Sequence, residues 1–404
     1  MNLSNLSKIL QDEPVFRLKQ AREAVSGNLI NSWDEATNLP AELREKLKKE
    51  VSLEINAQIT PGQKSDSQKA LIIFDDDEKV ETVLMKHKDG RNTVCVSSQV
   101  GCPLGCSFCA TGKIGFKRNL VADEIVEQAV FWGRMLKKES KAGVIARKPE
   151  FVRADEAIPR NTFEEYSSES GSSNSGLLRR PSAMSSGSND SRVAPRNDEA
   201  ARIHGVVFMG MGEPFLNYEN VLAAIRILND KDGLNIGARH ISISTAGIIE
   251  GIKKLAEEPM QINLALSLHA PNDKLRESLM PIAKKYSVKE IFETLDEHTQ
   301  KTNRRVMIEY IMIKDKNDSD ECAKELAGLI KKMKKPLVFV NLILYNPSGR
   351  GFFESLRPTG IFKPSSGERT KAFKAILEKE GIEAVQRWRF GDEIGGACGQ
   401  LIVN

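Results

Sequence analysis

From about residue 71 onward, short apolar runs alternate with amphipathic stretches along the chain. The apolar runs predict six β-strands, at 94–97, 206–209, 240–244, 262–267, 306–312 and 338–345. Between two of them, apolar residues recur at helical spacing at Ile125, Ala129, Trp132 and Leu136. Strands that alternate with helices favour a parallel sheet built from right-handed βαβ units. We therefore predict an α/β fold, a partial (β/α)6 version of the eight-stranded barrel.

The beginning of the chain has a different pattern, in which helix-start signals introduce short helices. Pro14 follows two acidic residues, and Pro40 precedes a stretch that places Leu43, Leu47 and Val51 on one helical face. These signals predict a small helical accessory domain at residues 1–62. The barrel core is then assigned to two further segments, 63–139 and 203–404.

One segment, residues 140–202, interrupts the alternation. Between Ser167 and Ser191 it holds 11 serines in 25 residues, with very few aliphatic side chains. Such a composition buries too little apolar surface to offset the entropy lost on ordering. We interpret it as a long disordered insert between a predicted helix and the strand at 206–209, on the outside of the barrel. The alternative is a substrate-binding loop that orders on RNA.

Composition and charge change this picture only slightly. The chain has 404 residues, 40% of them hydrophobic, which suits one large domain and a smaller one. No run approaches the roughly 18 apolar residues of a membrane span, and the start lacks a secretory signal, so we expect a cytoplasmic protein. The net charge of +4 is compatible with nucleic acid. Basic side chains cluster at 331–335 and 387–389. Two explanations of these clusters remain, a solvent-exposed helix face and contact with RNA.

The chemistry concentrates in the loop GCPLGCSFCATG at 101–112. Cys102, Cys106 and Cys109 have the spacing C-x3-C-x2-C, and they are half of the six cysteines in the chain. Thiolates are soft ligands that suit zinc or iron–sulfur clusters, and a [4Fe–4S] cluster normally takes four of them. Three would leave one iron free to bind a small molecule. The alternative, a structural zinc site, needs a fourth ligand, and Cys95 lies in a predicted strand.

Polar and glycine-containing runs follow the predicted strands directly. They lie at 209–214, 244–247, 267–269 and 345–347, and the cysteine loop follows the strand at 94–97. In barrels of this kind, ligands bind at the carboxyl ends of the strands. Each run alone has a structural explanation, such as a glycine turn, a serine cap or a buried histidine. Together, they predict one site at one edge of the sheet.

The cysteine loop resembles the cluster signature of radical S-adenosylmethionine enzymes. More narrowly, the chain resembles the RlmN type of RNA methyltransferase in four motifs: VCVSSQVGC at 94–102, GMGEP at 210–214, SLHAPN at 267–272 and GDEIGGACGQ at 391–400. The similarity runs nearly end to end, except for the Ser-rich insert. It implies a [4Fe–4S] cluster on Cys102, Cys106 and Cys109 and two molecules of S-adenosyl-L-methionine per turnover. It also implies a set of cofactor-binding residues, namely Gly212, Glu213, Ser244, Ser267, Leu268, His269 and Asn346.

The resemblance also implies a mechanism with three catalytic residues. Cys398 is first methylated, and a 5′-deoxyadenosyl radical then removes hydrogen from this methyl group. The resulting methylene radical adds to an adenine carbon, and Cys95 resolves the adduct by forming a disulfide with Cys398. Glu81 matches the family's proposed base for the C2 proton, although a small insertion lies between it and Cys95, and an exposed strand glutamate is its alternative reading. From the residues alone, Cys95 and Cys398 read as buried small hydrophobes, and we assign Cys322 a structural role.

The implied substrate is C2 of an adenosine in 23S rRNA, and also of an adenosine in tRNA beside the anticodon. The helical region would then contribute RNA binding, and a flavodoxin or ferredoxin would supply electrons to a monomeric, membrane-independent enzyme. Two alternatives remain open at this point. One is a related methyltransferase specific for adenine C8, and the other is a zinc-containing RNA-binding protein without catalysis.

Overall fold

The structure is a computed structural model that describes residues 6–61, 66–141, 202–347, 362–387 and 390–403. The predicted insert at 140–202 falls mostly on residues 142–201, which lie outside the described residues. Its first two residues belong to a long helix that ends at Lys141, and Arg202 precedes the next strand. None of the helices in these ranges is long and apolar enough to cross a membrane.

A ten-stranded sheet forms the centre of the described structure. Its strands, in spatial order, are β1 (Asn56–Pro61), β2 (Ser67–Ile73), β3 (Lys79–Lys86), β4 (Asn92–Cys95), β7 (Gly205–Phe208), β8 (Ile241–Thr245), β9 (Asn263–Ser267), β10 (Val306–Met312), β11 (Val338–Leu344) and β12 (Ala384–Gln386). Within this sheet, β4 and β7 to β12 all pair in parallel with their neighbours in that order. The six predicted strands are confirmed as β4, β7, β8, β9, β10 and β11, in the predicted order.

Three strands before β4 extend the sheet with antiparallel pairing. Strand β1 pairs with β2, β2 with β3 and β3 with β4. The sequence pattern did not predict this extension, and β1 lies within the segment assigned to the helical region. A separate hairpin joins β5 (Gln99–Gly101) to β6 (Phe116–Asn119), on either side of the cysteine loop.

Helices connect the parallel strands, as the alternation predicts. The α-helices of the described residues are α1 (Leu6–Ile9), α2 (Val15–Arg22), α3 (Ala41–Glu50), α4 (Ala110–Ile114), α5 (Ala122–Lys141), α6 (Tyr218–Asn229), α7 (Ile249–Glu257), α8 (Asp273–Leu279), α9 (Val288–Thr302), α10 (Asp320–Lys331) and α11 (Gly367–Lys379), of which α5 to α11 lie between successive parallel strands. Serine side chains cap three of them by accepting a backbone hydrogen bond, Ser287 at α9, Ser319 at α10 and Ser366 at α11. Each cap begins a helix directly after a connecting loop, which fixes where the chain turns back along the sheet.

The helices bury their apolar faces against the sheet in one large core. Trp132 of α5 is fully buried, and its indole N–H donates to the hydroxyl of Thr82 on β3 at 3.1 Å. This contact joins the antiparallel extension to the first helix of the barrel. On β10 the side chains of Val306, Ile308 and Tyr310 are all inaccessible to solvent. A sheet covered in this way explains why its strands appear in the sequence as nearly continuous apolar runs.

The N-terminal helices have a small core of their own, which contains Leu6, Trp33, Leu43 and Leu47. The indole N–H of Trp33 donates to the backbone carbonyl of Val51 at 2.8 Å, which fixes the end of α3. Polar contacts with the barrel, among them the following two, hold this unit in place. Arg134 of α5 donates to the carbonyl of Leu53 at 2.7 Å, and Lys19 pairs with Asp232 at 2.8 Å.

The position of the core predicts where truncation destabilises the protein. Ile308→Ala removes three carbons at the centre of β10 and should lower the free energy of unfolding by about 2–5 kcal/mol. Ile59→Ala makes the same change on β1, where the side chain is 45% exposed, and should cost much less. Chemical denaturation of both full-length variants measures the difference. Equal losses would contradict this description of the core.

Candidate active site

The carboxyl ends of the parallel strands and the cysteine loop enclose one cavity. Its lining contains all three loop cysteines and five of the seven predicted cofactor residues, namely Gly212, Glu213, Ser244, Ser267 and His269. A smaller pocket adjoins it and is lined by Asn346, Cys95 and Cys398. Cys398 lines both spaces and therefore lies at their boundary. Motifs separated by about 300 residues in sequence thus meet at one edge of the sheet.

The cysteine loop is fixed to both the hairpin and the barrel. Gly101 has φ +73°, and a Cβ at this position would lie 1.8 Å from the carbonyl oxygen of Gly115, so only glycine fits. The backbone N–H of Cys102 donates to that same carbonyl at 2.8 Å. On the barrel side, the N–H of Ser107 donates to the carbonyl of Leu279 at 2.9 Å. These contacts hold the thiols at the cavity wall before anything binds.

Burial raises the pKa of two loop thiols, Cys102 and Cys106, and that of Cys102 to about 12. The neighbouring thiol of Cys109 and the carboxyl of Glu213 add to both shifts, because further negative charge opposes ionisation. A buried thiol of this kind loses its proton only when a cation binds, because the positive charge of the metal stabilises the thiolate. The loop therefore has the chemistry of a metal ligand set.

A [4Fe–4S] cluster fits this ligand set better than a single ion does. Among the described residues, no three His, Cys, Asp or Glu side chains are placed to hold one metal ion, as a zinc site requires. In a cluster each thiolate binds a different iron, so three sulfurs along one cavity wall are suitable.

On the strand side, the side-chain oxygen of Asn346 is buried without a hydrogen-bond partner among the described residues. It is therefore suited to accept a hydrogen bond from a ligand.

Glu213 is held at the end of β7 by backbone groups. Its carboxylate accepts hydrogen bonds from the N–H of Phe215 at 3.1 Å and of Ala246 at 2.7 Å. Burial nevertheless raises its pKa to about 7. Gly212 before it has φ +99°, and a Cβ there would lie 2.6 Å from the side chain of Gln99. The GMGEP turn therefore needs glycine so that it can pack against the segment after β4.

Two serines and a histidine complete the strand side of the cavity. The hydroxyls of Ser244 and Ser267 lie 3.2 Å apart across β8 and β9. His269 accepts a hydrogen bond at Nδ1 from the N–H of Ile311 at 3.1 Å, so its proton is on Nε2. Burial, with a contribution from Arg276, lowers its pKa to about 3, and it is neutral at physiological pH. His269 thus has a structural anchor and also lines the cavity as a neutral side chain.

Leu268 differs from the other predicted cofactor residues. Its side chain is fully buried in the main core and lines neither pocket. Its carbonyl accepts a hydrogen bond from Nε of Arg276 at 3.2 Å. Its N–H donates to the carbonyl of Glu309 at 3.1 Å. Any contact of Leu268 with a ligand would therefore involve its backbone.

Cys95 and Cys398 line the same small pocket as free thiols. Cys95 ends β4 and is buried in the core, as the structural reading of its sequence predicts. Burial raises its pKa to about 12, with a smaller contribution from Cys398. Cys398 is half-buried, and its carbonyl accepts a long hydrogen bond of 3.5 Å from the side-chain amide of Asn346. The pair therefore combines a buried cysteine with a half-buried one.

Glu81 lies on β3 but lines neither pocket. It is buried, so the alternative of an exposed strand glutamate is wrong. Its carboxylate pairs with Lys69 at 2.7 Å and accepts a hydrogen bond from the N–H of Ile402 at 2.9 Å. Burial raises its pKa, which the charge of Lys69 partly opposes. In this structure Glu81 attaches the C-terminal segment to the antiparallel extension.

Sequence reasoning missed three polar groups of this site. Arg276 of α8 is fully buried below the strand ends, and its Nη1 has no partner among the described residues. Glu309 of β10 is buried in the cavity wall, where Asn341 donates to both of its carboxylate oxygens at 3.1 and 2.9 Å. Arg387 contributes to both pockets. A charged residue inside the apolar run 306–312 was the available signal for Glu309, whereas Arg276 reads as an ordinary helix charge.

Comparisons with known proteins agree with this geometry. The family description of the Radical SAM superfamily matches residues 193–327, a range that begins after the cysteine loop. The chain is 38% identical to a probable dual-specificity RNA methyltransferase RlmN of Dictyoglomus thermophilum, covering 96% of this chain and 91% of that protein. The corresponding protein of Symbiobacterium thermophilum is also 38% identical, with 99% and 90% covered.

A solved structure is similar over the same extent. The crystal structure of a radical SAM methyltransferase from Sphaerobacter thermophilus superposes with a TM-score of 0.76 at 35% identity. The match covers 99% of this chain and 97% of that one. The similarity thus includes the helical N-terminal region, the cysteine loop and the C-terminal segment that carries Cys398.

The arrangement of the loop predicts which cysteines retain iron. After anaerobic reconstitution with iron and sulfide, Cys106→Ala should lose bound iron and the visible absorption of a cluster, because only two thiolates remain. Cys322→Ala is the matched control, since Cys322 is a buried thiol on α10 outside both pockets, and it should retain the iron of the unaltered chain. Metal analysis decides the outcome. Full iron content in Cys106→Ala would contradict the assigned ligand set.

Proposed function

Because the chain belongs to the RlmN family of radical S-adenosylmethionine RNA methyltransferases, we propose that it methylates C2 of an adenosine in 23S rRNA and of an adenosine in tRNA. The relatives' description as dual-specificity enzymes supports two RNA substrates. The observation that carries the proposal is Cys398, which lies between the cavity of the cysteine loop and the pocket of Cys95.

The chemistry of the substrate explains why such a site is needed. Adenine C2–H is neither nucleophilic nor acidic enough for ordinary methyl transfer. Cys102, Cys106 and Cys109 would hold the [4Fe–4S] cluster, and the strand-end residues, with Asn346, would bind S-adenosyl-L-methionine. When bound, these two groups supply a 5′-deoxyadenosyl radical that removes a hydrogen atom. A flavodoxin or ferredoxin is the proposed electron source.

Cys398 carries the methyl group in this mechanism. Its sulfur accepts the group from a first S-adenosyl-L-methionine, and a second molecule is consumed when hydrogen is removed from the S-methyl carbon. That carbon then bonds to C2 of the adenine, which attaches the RNA to the protein. The half-buried position of Cys398 supports this role, because its sulfur borders the cavity on one side and the Cys95 pocket on the other.

Cys95 and Glu81 complete the proposed reaction. Cys95 attacks the sulfur of Cys398, forms a disulfide with it and releases the methylated base. Before this step the adenine adduct gives up its unpaired electron, for which the proposed electron carrier is the acceptor, and a base removes the C2 proton. The electron pair of the broken C–S bond then stays on the former methyl carbon, which takes up a proton to become the methyl group. For Glu81 to act as that base, its hydrogen bond with the N–H of Ile402 must break. The proposal therefore couples the base to movement of the C-terminal segment.

The helical N-terminal region is proposed to contribute RNA binding, and the chain to act as a monomer. A cluster held by thiolates favours a reducing compartment, which supports a cytoplasmic location.

The related C8-specific methyltransferase shares the cluster and both further cysteines, so the identity of the product distinguishes it. A zinc-containing RNA-binding protein would instead have no need of Cys398.

Product analysis tests the function directly. The reconstituted chain, given S-adenosyl-L-methionine and an electron donor, should form 2-methyladenosine in both 23S rRNA and tRNA. Cys398→Ala should abolish methylation and keep its iron, whereas Cys322→Ala should retain both. Mass spectrometry of digested RNA measures the product. Finding 8-methyladenosine alone, or normal methylation by Cys398→Ala, would contradict the proposal.

A further inference from the structure

Arg387 belongs to the basic cluster at 387–389 that the sequence offered for RNA contact, but its side chain points into the active site. The backbone N–H of Arg387 donates to the carbonyl of Leu342 at 3.0 Å, which continues the parallel pairing of β12 with β11 by one residue. The strand geometry therefore fixes the direction of the side chain. The guanidinium lines both the cavity of the cysteine loop and the smaller pocket of Cys95.

Within the described residues, this guanidinium makes hydrogen-bond contacts to two sulfur atoms. Nη1 lies 3.8 Å from Sγ of Cys398 and 3.6 Å from Sδ of Met209. A methionine thioether is only a weak acceptor, whereas a thiolate is a full negative charge. Of these two sulfurs, only that of Cys398 can carry charge and so form a strong partner for the arginine.

The surroundings keep Arg387 charged inside the site. The thiolate charge of Cys398 is the largest cause that raises the pKa of Arg387, and the carboxylate of Glu309 adds to it. Glu309 is itself immobilised by two hydrogen bonds from Asn341. The cation thus interacts electrostatically with both the carboxylate on β10 and the thiol that the mechanism must methylate.

Methyl transfer to Cys398 requires a thiolate, because the thiol is a poor nucleophile. In this step a lone pair of Sγ forms the new S–CH3 bond, after the thiol proton has left for solvent. The sulfonium–CH3 bond of S-adenosyl-L-methionine breaks, and its electron pair stays on the departing thioether. Once methylated, Sγ is neutral. A nearby cation therefore stabilises the thiolate that accepts the methyl group more than it stabilises the methylated sulfur.

We propose that Arg387 is a positioning residue that stabilises the thiolate form of Cys398 for methyl transfer. This inference rests on the proposed function, in which Cys398 is the methyl acceptor. Three titratable groups on neighbouring elements influence the charge of this sulfur. Arg387 follows β12 and Cys95 ends β4, while Glu309 on β10 acts through its interaction with Arg387. Cys95 stays protonated near neutral pH, since its pKa is raised to about 12, and so adds no opposing charge.

Thiol alkylation of two arginine variants tests this role without requiring methyltransferase activity. The full chain, with Cys398 shown by intact mass to be unmethylated, is treated with iodoacetamide, and peptide mass spectrometry gives the rate at each cysteine. Arg387→Gln should slow alkylation of Cys398 about tenfold near neutral pH, because it removes the cation whose Nη1 lies 3.8 Å from Sγ and a cation this close favours the reactive thiolate. Arg387→Lys keeps the charge and should retain most of the rate.

Cys322 serves as an internal reference, because it is buried on α10 and lines neither pocket. Its alkylation reports general opening of the fold, and the Cys398 rate is compared with it in every variant. An Arg387→Gln chain that alkylates Cys398 as fast as the unaltered chain would overturn the proposal. Equal slowing in the Lys and Gln variants would also overturn it, because the side chain's shape would then matter and its charge would not.

RNA analysis separates this inference from the proposed function. If Cys398 reactivity depends on the charge at position 387 but the unaltered chain forms no methyladenosine, the proposed function fails and the thiolate contact stands. If the unaltered chain forms 2-methyladenosine and its Cys398 reactivity is independent of that charge, the contact fails and the function stands.

Discussion

The parallel register of seven strands, β4 and β7 to β12, is the constraint on which the site depends. Parallel pairing brings the carboxyl ends of all these strands to one edge of the sheet. The cysteine loop follows β4, the GMGEP turn follows β7, and Ser267 ends β9. Because side chains alternate between faces, a slip of one residue would turn each of these groups away from the cavity. The buried core that fixes the register therefore also fixes the ligand positions.

The C-terminal segment closes the site through bonds of very long sequence separation. The N–H of Ala110 donates to the carbonyl of Gly399 at 2.8 Å, and the hydroxyl of Thr111 donates to that of Leu401 at 2.7 Å. The side-chain amide of Gln400 donates to the carbonyl of Pro347 at 3.0 Å. These contacts attach Cys398 to the helix that directly follows the cysteine loop. A change in the loop can thereby be transmitted to Cys398, the proposed methyl acceptor.

Much of this architecture was predictable because it depends on periodic burial. The six central strands are covered on both faces, so each appears as an apolar run, and the helices between them show one apolar face. Strands β1 to β3 pair with their neighbours in sequence. They were missed because polar residues interrupt their apolar runs, as in KVETVLMK of β3. The burial of Glu81 follows from that same pairing and from the return of Ile402, so no local signal indicates it.

Residue types indicated the site more reliably than they indicated side-chain direction. The spacing of the cysteine loop and the glycines of GMGEP identified its two sides, because few other structures need those residues in that order. Arg387 is different, since a basic residue near Trp388 reads equally well as a surface contact. Its direction is set by one hydrogen bond to β11. Leu268 likewise matched a motif, whereas its side chain serves the core.

The central claim is that the methyl group reaches RNA through Cys398 and is not transferred directly. S-Adenosyl-L-methionine with a trideuterated methyl group tests it most directly, by mass spectrometry of the methylated adenosine and of the released 5′-deoxyadenosine. Transfer through Cys398 predicts a product methyl group with two deuterium atoms and the third deuterium in 5′-deoxyadenosine, because one hydrogen is removed while the methyl group is on sulfur. A product methyl group that retains all three deuterium atoms would contradict the account.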